Sequence, residues 1–327
     1  MRLRNNIVNH HDSASFNKLC LEVFRFQHEN NTVYRSYCEA LKIDVNAIDG
    51  LVKIPFLPIR FFRSHEIIVD IETPDLIFTS SGTTGSIRSK HFVADSSLYR
   101  ESYLKGFELA YGNPDSWTIL ALLPSYQEGS SLIHMVTGLM KESGSSDSGF
   151  FLKNHQSLLD KILELQKKGH KILLIGVSFA LLEFSKHPFF DGFTGFENTV
   201  IMETGGMKGW GKELIRSELH AKLTSRFGVE KIHSEYGMTE LLSQAYSSGD
   251  GKYTCPHWMD ILIRDVNDPF SLVEENKVGG VNVVDLSNLY SCSFIATDDL
   301  GKKDSNGQVE ILGRFDSSDV RGCNQMV

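Results

Sequence analysis

Phe78-Thr79-Ser80-Ser81-Gly82-Thr83-Thr84-Gly85-Ser86 follows directly on the apolar run Leu76-Ile77-Phe78. From Thr79 to Ser86 six hydroxyl residues and two glycines fill eight positions. Glycine lets backbone N–H groups approach an anion, and hydroxyls donate to phosphate oxygens or sit near Mg²⁺. The stretch is no Walker A loop, because GxxxxGK[ST] is absent. Glycine and serine are also common turn residues, so a flexible connector shares this composition. What separates the two readings is the rest of the chain.

On both sides the pattern is one of short apolar runs alternating with helix-length segments. Phe16, Leu19, Val23 and Phe26 are spaced for helix within residues 16–41, and the two prolines of Ile54-Pro55-Phe56-Leu57-Pro58-Ile59 enforce an extended segment. Beyond the hydroxyl-rich loop, a helix starts after Asp95, a natural cap. Residues 117–123, 171–177 and 199–202 read as strands; 130–140, 158–168 and 211–227 read as helices. Strands alternating with helices imply βαβ units and a largely parallel sheet flanked by helices. After about Tyr253 short strands and turns take over, as in Val266-Asn267-Asp268-Pro269 and Asp304-Ser305-Asn306-Gly307, which predicts a small β-rich subdomain. The tract Ser143-Gly144-Ser145-Ser146-Asp147-Ser148-Gly149 reads as a surface loop.

The 327 residues, 41% hydrophobic and 23% charged, suffice for a sizeable core and exclude a disordered or collagen-like chain. A net charge of −8 argues against a nucleic-acid partner, which calls for clustered Lys and Arg. Cysteines 20, 38, 255, 292 and 323 form no CxxC pair, so neither a disulfide framework nor a zinc ribbon is signalled. The polar start Met1-Arg2-Leu3-Arg4-Asn5-Asn6 has no apolar signal core, and the longest apolar run, 172–182, is too short for a membrane span. A soluble cytoplasmic protein is expected.

Four further stretches belong with the hydroxyl-rich loop: Glu203-Thr204-Gly205-Gly206, Tyr236-Gly237-Met238-Thr239-Glu240, Thr297-Asp298-Asp299-Leu300-Gly301 and Gly313-Arg314-Phe315-Asp316. In this order the set resembles the adenylate-forming superfamily of acyl-CoA synthetases, luciferase-like ligases and adenylation domains, over residues 78–316. The resemblance implies an α/β fold, the superfamily's N-terminal core, with ATP and Mg²⁺ as cofactors. It implies that Ser80, Ser81, Gly82, Thr83, Thr84 and Gly85 hold the β- and γ-phosphates. Gly205 and Gly206 would let adenine lie on backbone, and Tyr236 would stack on it, with Gly237 beside it in the nucleotide site. Thr239 would contact the α-phosphate, Glu240 would bind Mg²⁺, Asp299 would accept from the ribose hydroxyls, and Arg314 would approach the same sugar. Such residues suit attack of a carboxylate on the α-phosphate, where charge must be neutralised. A surface carboxylate at Glu240 and a structural ion pair at Arg314 are the plainer readings.

Three departures stand out. Ile87-Arg88 replaces the superfamily's Pro-Lys, and Asp298 replaces the glycine of TGD. The sequence also closes eleven residues after Asp316, which implies that the superfamily's mobile C-terminal domain, with its lysine, is absent. The acyl-protein synthetases of bacterial bioluminescence, the LuxE type, end in this way. Ile54-Pro55-Phe56-Leu57-Pro58-Ile59, Ser80-Ser81, Cys255-Pro256 and Val320-Arg321-Gly322-Cys323-Asn324 look like that branch. Cys323 is then the candidate nucleophile, its thiolate favoured by Arg321; an unreactive tail thiol is the alternative. The expected organisation is a single adenylating core over 1–327. It comprises a helical segment at 1–60, a nucleotide-binding α/β part at 61–250, the β-rich subdomain at 251–316 and a hinge-like tail at 317–327. The expected activity is conversion of a carboxylic acid, most readily a fatty acid, to acyl-AMP, then transfer to Cys323 and on to an acceptor such as an acyl-reductase. Coenzyme A or an amine as acceptor, and a non-catalytic nucleotide-binding protein, remain as alternatives.

Other signals are weaker. Gly176-Val177-Ser178-Phe179-Ala180 lacks the last glycine of a GxSxG elbow and reads as a strand-to-helix turn. Cys255-Pro256-His257 has no second cluster to complete a metal site. His134, in an apolar helix, reads as a core histidine.

Overall fold

The computed structural model describes residues 2–8, 13–70, 73–81, 87–125, 129–205 and 214–315, and the chain divides into two compact units, 1–72 with 257–327 and 73–256.

The first unit opens with helices α1 (Arg2–Ile7), α2 (Ser13–Asn30) and α3 (Thr32–Ala40). Asn31 breaks the helix between α2 and α3: its backbone is extended and its side chain caps α3 by accepting from Tyr34 N. Leu19, Val23 and Phe24 recur at helical spacing and are buried. The proline segment is extended as expected, and β1 (Leu57–Pro58) leads into the short α4 (Phe61–Ser64).

The second unit begins with the antiparallel pair β2 (Leu76–Thr79) and β3 (Lys90–Val93), whose connection contains the hydroxyl-rich loop. Helix α5 (Ser96–Tyr111) starts at Asp95, whose carboxylate accepts from Leu98 N at 3.0 Å. Then come β4 (Trp117–Leu122), α6 (Ser131–Ser143), β5 (Gly149–Phe150), α7 (His155–Lys167), β6 (Lys171–Val177), α8 (Ser178–Ser185), β7 (Thr199–Thr204), α9 (Arg216–Phe227), β8 (His233–Tyr236), β9 (Ala245–Ser247) and β10 (Lys252–Tyr253). The sheet order is β5-β4-β6-β7-β8-β9, with parallel pairing from β5 through β8 and β9 antiparallel on β8. Every residue of β4 is buried, as expected of a parallel strand covered on both faces. Helix α9 starts at Arg216, later than the sequence pattern predicts; Ile215 before it makes no side-chain cap. The serine-rich tract after α6 is tied down: Ser145 Oγ lies 3.1 Å from Thr118 Oγ1, and Ser148 Oγ accepts from Ile119 N at 3.0 Å.

The chain then returns to the first unit, as β11 (Met259–Arg264), β12 (Gly279–Asp285), β13 (Phe294–Lys303) and β14 (Val309–Arg314). These pair antiparallel in sequence order, and β1 lies parallel on β13. Gln27 of α2 ties the helices to this sheet region. Its amide donates to Asn288 O, Leu289 O and Ser293 Oγ at 2.8 to 3.0 Å, and its carbonyl accepts from Ser293 N at 3.0 Å.

Candidate functional site

In the second unit the motif residues cluster where parallel strands end. Strands β7 and β8 pair as Glu203↔Ser234 and Thr204↔Glu235, so Gly205 and Tyr236 follow together at the C-terminal edge of the sheet. That edge is where open α/β sheets bind ligands. Gly205 adopts φ +67°, a turn conformation that glycine takes without steric cost. Tyr236 packs edge-on against Tyr253 at 5.9 Å, and Glu240 is buried. The hydroxyl-rich loop is pinned at its base: Ser80 N donates to Ser89 O at 3.0 Å, and Ser89 N donates to Ser80 Oγ at 2.9 Å. His91, opposite Phe78 on β3, donates from Nδ1 to Thr239 O at 2.8 Å. One histidine thus clips the base of the loop to the segment holding Thr239 and Glu240. Ser81 is exposed beside Ser80, whereas Gly82, Thr83, Thr84, Gly85 and Gly206 lie outside the described residues.

Two buried carboxylates support these loops: Glu203, which the motif carries without a role, and Glu235, which lies outside every motif. Glu203 faces Arg216 Nε at 3.4 Å and His220 Nε2 at 3.6 Å, and accepts from Ser178 Oγ at 3.2 Å. Burial pushes its pKa up, but the contact with His220, the charge of Arg216 and the Ser234 hydroxyl outweigh that, and it is held below the ordinary carboxylate range. Glu235, fully enclosed, goes the other way. Burial pushes it up to about 7, the charge of Glu203 adds to this, and the bond from Thr204 Oγ1 offsets only part. A side chain at Gly237 would collide with its Oε1, so Glu235 underlies the Tyr236-Gly237 turn while holding the residue before Gly205. Ser178 donates to Gly205 O at 2.7 Å as well as to Glu203. Its hydroxyl is a tie for the Gly205 turn, and it opens α8 as a strand-to-helix residue.

In the first unit Asp299 and Arg314 are register partners on β13 and β14, with Nε 3.2 Å from Oδ1. Asp299 is buried, while the Arg314 side chain is 79% exposed, so the pair contributes little to stability and leaves the guanidinium accessible. Asp298 accepts from Phe315 N at 2.8 Å. Burial raises the thiol pKa values of Cys38 and Cys292 to about 12 and that of Cys20 further still, which makes all three poor nucleophiles. Cys323 lies outside the described residues.

Among the described residues no group of three or more His, Cys, Asp or Glu side chains is placed to hold a metal, and no helix is long and apolar enough to cross a membrane. One carboxylate, Glu240, fits Mg²⁺ all the same, because that ion is commonly held by one or two carboxylates together with substrate phosphates. His134 stacks on Tyr99 at 5.6 Å and meets Phe78 edge-on at 5.5 Å; burial lowers its pKa, as for a packed neutral histidine.

The family described as acyl-protein synthetase, LuxE, matches this chain over residues 6–327. A long-chain-fatty-acid–luciferin-component ligase of Vibrio harveyi is 24% identical over 337 residues, covering 94% of this chain and 85% of that protein. A protein of the same name from Photorhabdus luminescens is 38% identical over 69 residues, covering 21% of this chain and 59% of that sequence. Among solved structures, 2-hydroxyisobutyryl-CoA ligase superposes with a TM-score of 0.69 at 14% identity, over 93% of this chain and 71% of that one. ATP-bound MatB from Rhodopseudomonas palustris superposes with a TM-score of 0.54 at 21% identity, over 75% of this chain. The matched part spans about half the length of that structure, 49%. At these identities the structural likeness speaks for the fold.

Proposed function

The chain belongs to the LuxE family of acyl-protein synthetases, and on that premise we propose that it activates a fatty acid with ATP and carries the acyl group as a thioester on Cys323. A carboxylate oxygen attacks the α-phosphorus of ATP. The bond from that phosphorus to the bridging oxygen breaks, and acyl-AMP and pyrophosphate result. The thiolate of Cys323 then attacks the acyl carbon; a C–S bond forms, AMP leaves with the anhydride oxygen, and the thiol proton passes to solvent. The final acceptor is a partner protein, for which an acyl reductase is a chemically fitting choice.

Ser80 through Gly85 hold the β- and γ-phosphates, Thr239 the α-phosphate, and Gly205, Gly206, Tyr236 and Gly237 the adenine. Asp299 and Arg314 take the ribose. Glu240 and the phosphate oxygens would hold Mg²⁺, which neutralises charge on the triphosphate. The observation that carries this reading is the clip from His91 to Thr239 O, 2.8 Å, which holds β3, and with it Ser80 at the base of the hydroxyl-rich stretch, to the Thr239–Glu240 segment at a parallel-sheet edge. Donors held in advance around developing phosphate charge are the chief means by which such a site accelerates transfer.

Acid-dependent ATP–pyrophosphate exchange across a panel of fatty acids tests the first half; silence with every acid in the presence of Mg²⁺ would sink it. Labelled fatty acid and ATP should leave hydroxylamine-releasable label on the wild type and none on Cys323→Ser, with exchange retained. Label persisting on that variant would remove Cys323 from the mechanism. Transfer to added coenzyme A with no label on the protein would identify a diffusible acceptor instead.

A further inference from the structure

Arg264 ends β11 opposite Gly280 of β12, and its guanidinium is spent on holding backbone. Nη1 donates to Val281 O at 2.7 Å and to Asn282 Oδ1 at 2.9 Å, and Nη2 donates to Thr297 O at 2.6 Å. The space it fills is reserved for it, since a Cβ on Gly280 would stand 2.5 to 2.8 Å from Cζ, Nε and Nη2. The register of β12 against β13 slips between Gly280, opposite Leu300, and Asn282, opposite Ala296, so Val281 alone faces residues 297–299 in a bulge of β13. The Val281 carbonyl accepts from Thr297 Oγ1 as well, at 2.9 Å, and Thr297 Oγ1 in turn accepts from Asp299 N at 3.1 Å. Phe315 lies over the guanidinium at 5.7 Å from its centroid, and Phe315 N donates to Asp298 O. Arg264 therefore touches the residues on both sides of the Asp299–Arg314 pair without touching the pair through any of these bonds.

A guanidinium offers donors in a rigid planar fork, so three acceptors on two strands can be held at fixed spacing, which an ammonium does not do. Its burial lowers the pKa, and the nearby charges of Asp298 and Asp299 work against that, so it stays charged. The three acceptors are two main-chain carbonyls and an amide rather than carboxylates. The charge is used to shape β12 and β13 rather than to complete an ion pair.

We propose that Arg264 is the positioning residue for ribose recognition, setting the 297–299 backbone and Phe315 so that Asp299 and Arg314 meet the sugar hydroxyls. This rests on the reading of Asp299 as the ribose acceptor. It goes beyond that reading in assigning the selectivity for a 2′-hydroxyl to a side chain that does not contact the nucleotide.

The test compares ATP with 2′-deoxy-ATP in acid-dependent pyrophosphate exchange, measuring kcat and KM for each. Wild type should prefer ATP about tenfold or more in kcat/KM, the worth of a hydrogen bond to a charged group. In Arg264→Met the KM for ATP should rise about tenfold. That for 2′-deoxy-ATP should move less than about threefold and kcat at saturation should hold within about threefold, so the preference collapses. Arg264→Lys should resemble Arg264→Met, because the fork is lost while the charge stays. Equal losses with both nucleotides, or an unchanged preference, would overturn the proposal. Should Arg264→Met fail to fold by circular dichroism, Thr297→Val, which removes the hydroxyl under Asp299 N, is read by the same ratio: collapse supports the proposal and an unchanged ratio overturns it. Wild type that shows no exchange with any acid refutes adenylation itself. Wild type that exchanges yet accepts both nucleotides equally refutes only the assignment of ribose selectivity.

Discussion

Glu235 shows how far a single side chain can depart from what its letter suggests. Among the described residues it interacts with Thr204 and Glu203 on β7, Tyr246 on β9, Tyr253 on β10 and Tyr111 on α5, and none of these is a cation. Arg216 and His220 of α9 face Glu203 instead. With a folded-state pKa of about 7 against an ordinary 4.5, Glu235 is neutral in the folded protein over much of the acid range. Below pH 4.5 both folded and unfolded states hold the proton and nothing is lost. Between 4.5 and 7 the unfolded chain releases its proton while the folded one keeps it, so stability falls as pH rises, by about 3 kcal/mol in full. Glu235→Gln should therefore melt several degrees above wild type at pH 8 and lose that advantage near pH 4.5. A gain of equal size at both pH values would show that ionisation has no part. The motif residues Gly205, Tyr236, Thr239 and Glu240 were legible because loop chemistry is written in residue type. The role of Glu203, and Glu235 altogether, were not, because in a strand buried on both faces a polar residue interrupts no period. Arg264 was invisible for a different reason: its acceptors lie 17 to 33 residues away on other strands.

At the scale of elements, the strand Lys171–Val177 matched its apolar run to the residue, and the Asp95 cap was read from one letter and the pattern after it. The start of α9 was not legible, because Ile215 offers no capping oxygen to mark it. The tract after α6 had loop composition, but composition could not tell that its hydroxyls serve β4. Helix propensity and packing conflict openly at Gly138 in α6. In an exposed helix, glycine to alanine stabilises by about 1 kcal/mol. Here an added Cβ would overlap the Tyr103 hydroxyl and come within 2.7 Å of its Cζ, and Tyr103 is itself buried against Tyr99 with ring centroids 5.2 Å apart. Overpacking of this kind costs about 1 to 3 kcal/mol, so Gly138→Ala should lower the melting temperature, and Tyr103→Leu in the same chain should recover part of the loss. A Gly138→Ala protein melting above wild type would mean that α5 and α6 yield more readily than their packing suggests.

For the whole molecule, the chief feature is that one compact unit is built from both ends of the chain and the other from its middle. Nothing in the periodicity of residues 13–30 signals partners near residue 290. The link is carried by Gln27, whose one amide group satisfies four polar groups, and by Asn31, whose Nδ2 donates to Ser291 O at 2.8 Å. Gln27→Ala strands buried carbonyls and should cost about 2 to 4 kcal/mol. Hydrogen exchange should then quicken together in α2, β12 and β13, while β4, β6 and β7 keep their protection; uniform quickening would mean the two units open as one. The same arrangement sets an order of events on the ribosome. The partners of Gln27 are translated 261 residues after it. At about 5 to 20 residues per second that is a wait of roughly 13 to 50 s. Meanwhile the central unit is synthesised whole and can collapse, and the helix bearing Leu19, Val23 and Phe24 is left with its oily side in water. Nascent-chain capture should find ribosome-associated chaperones on residues 13–30 long after the central unit has folded, and released only as β12 and β13 emerge.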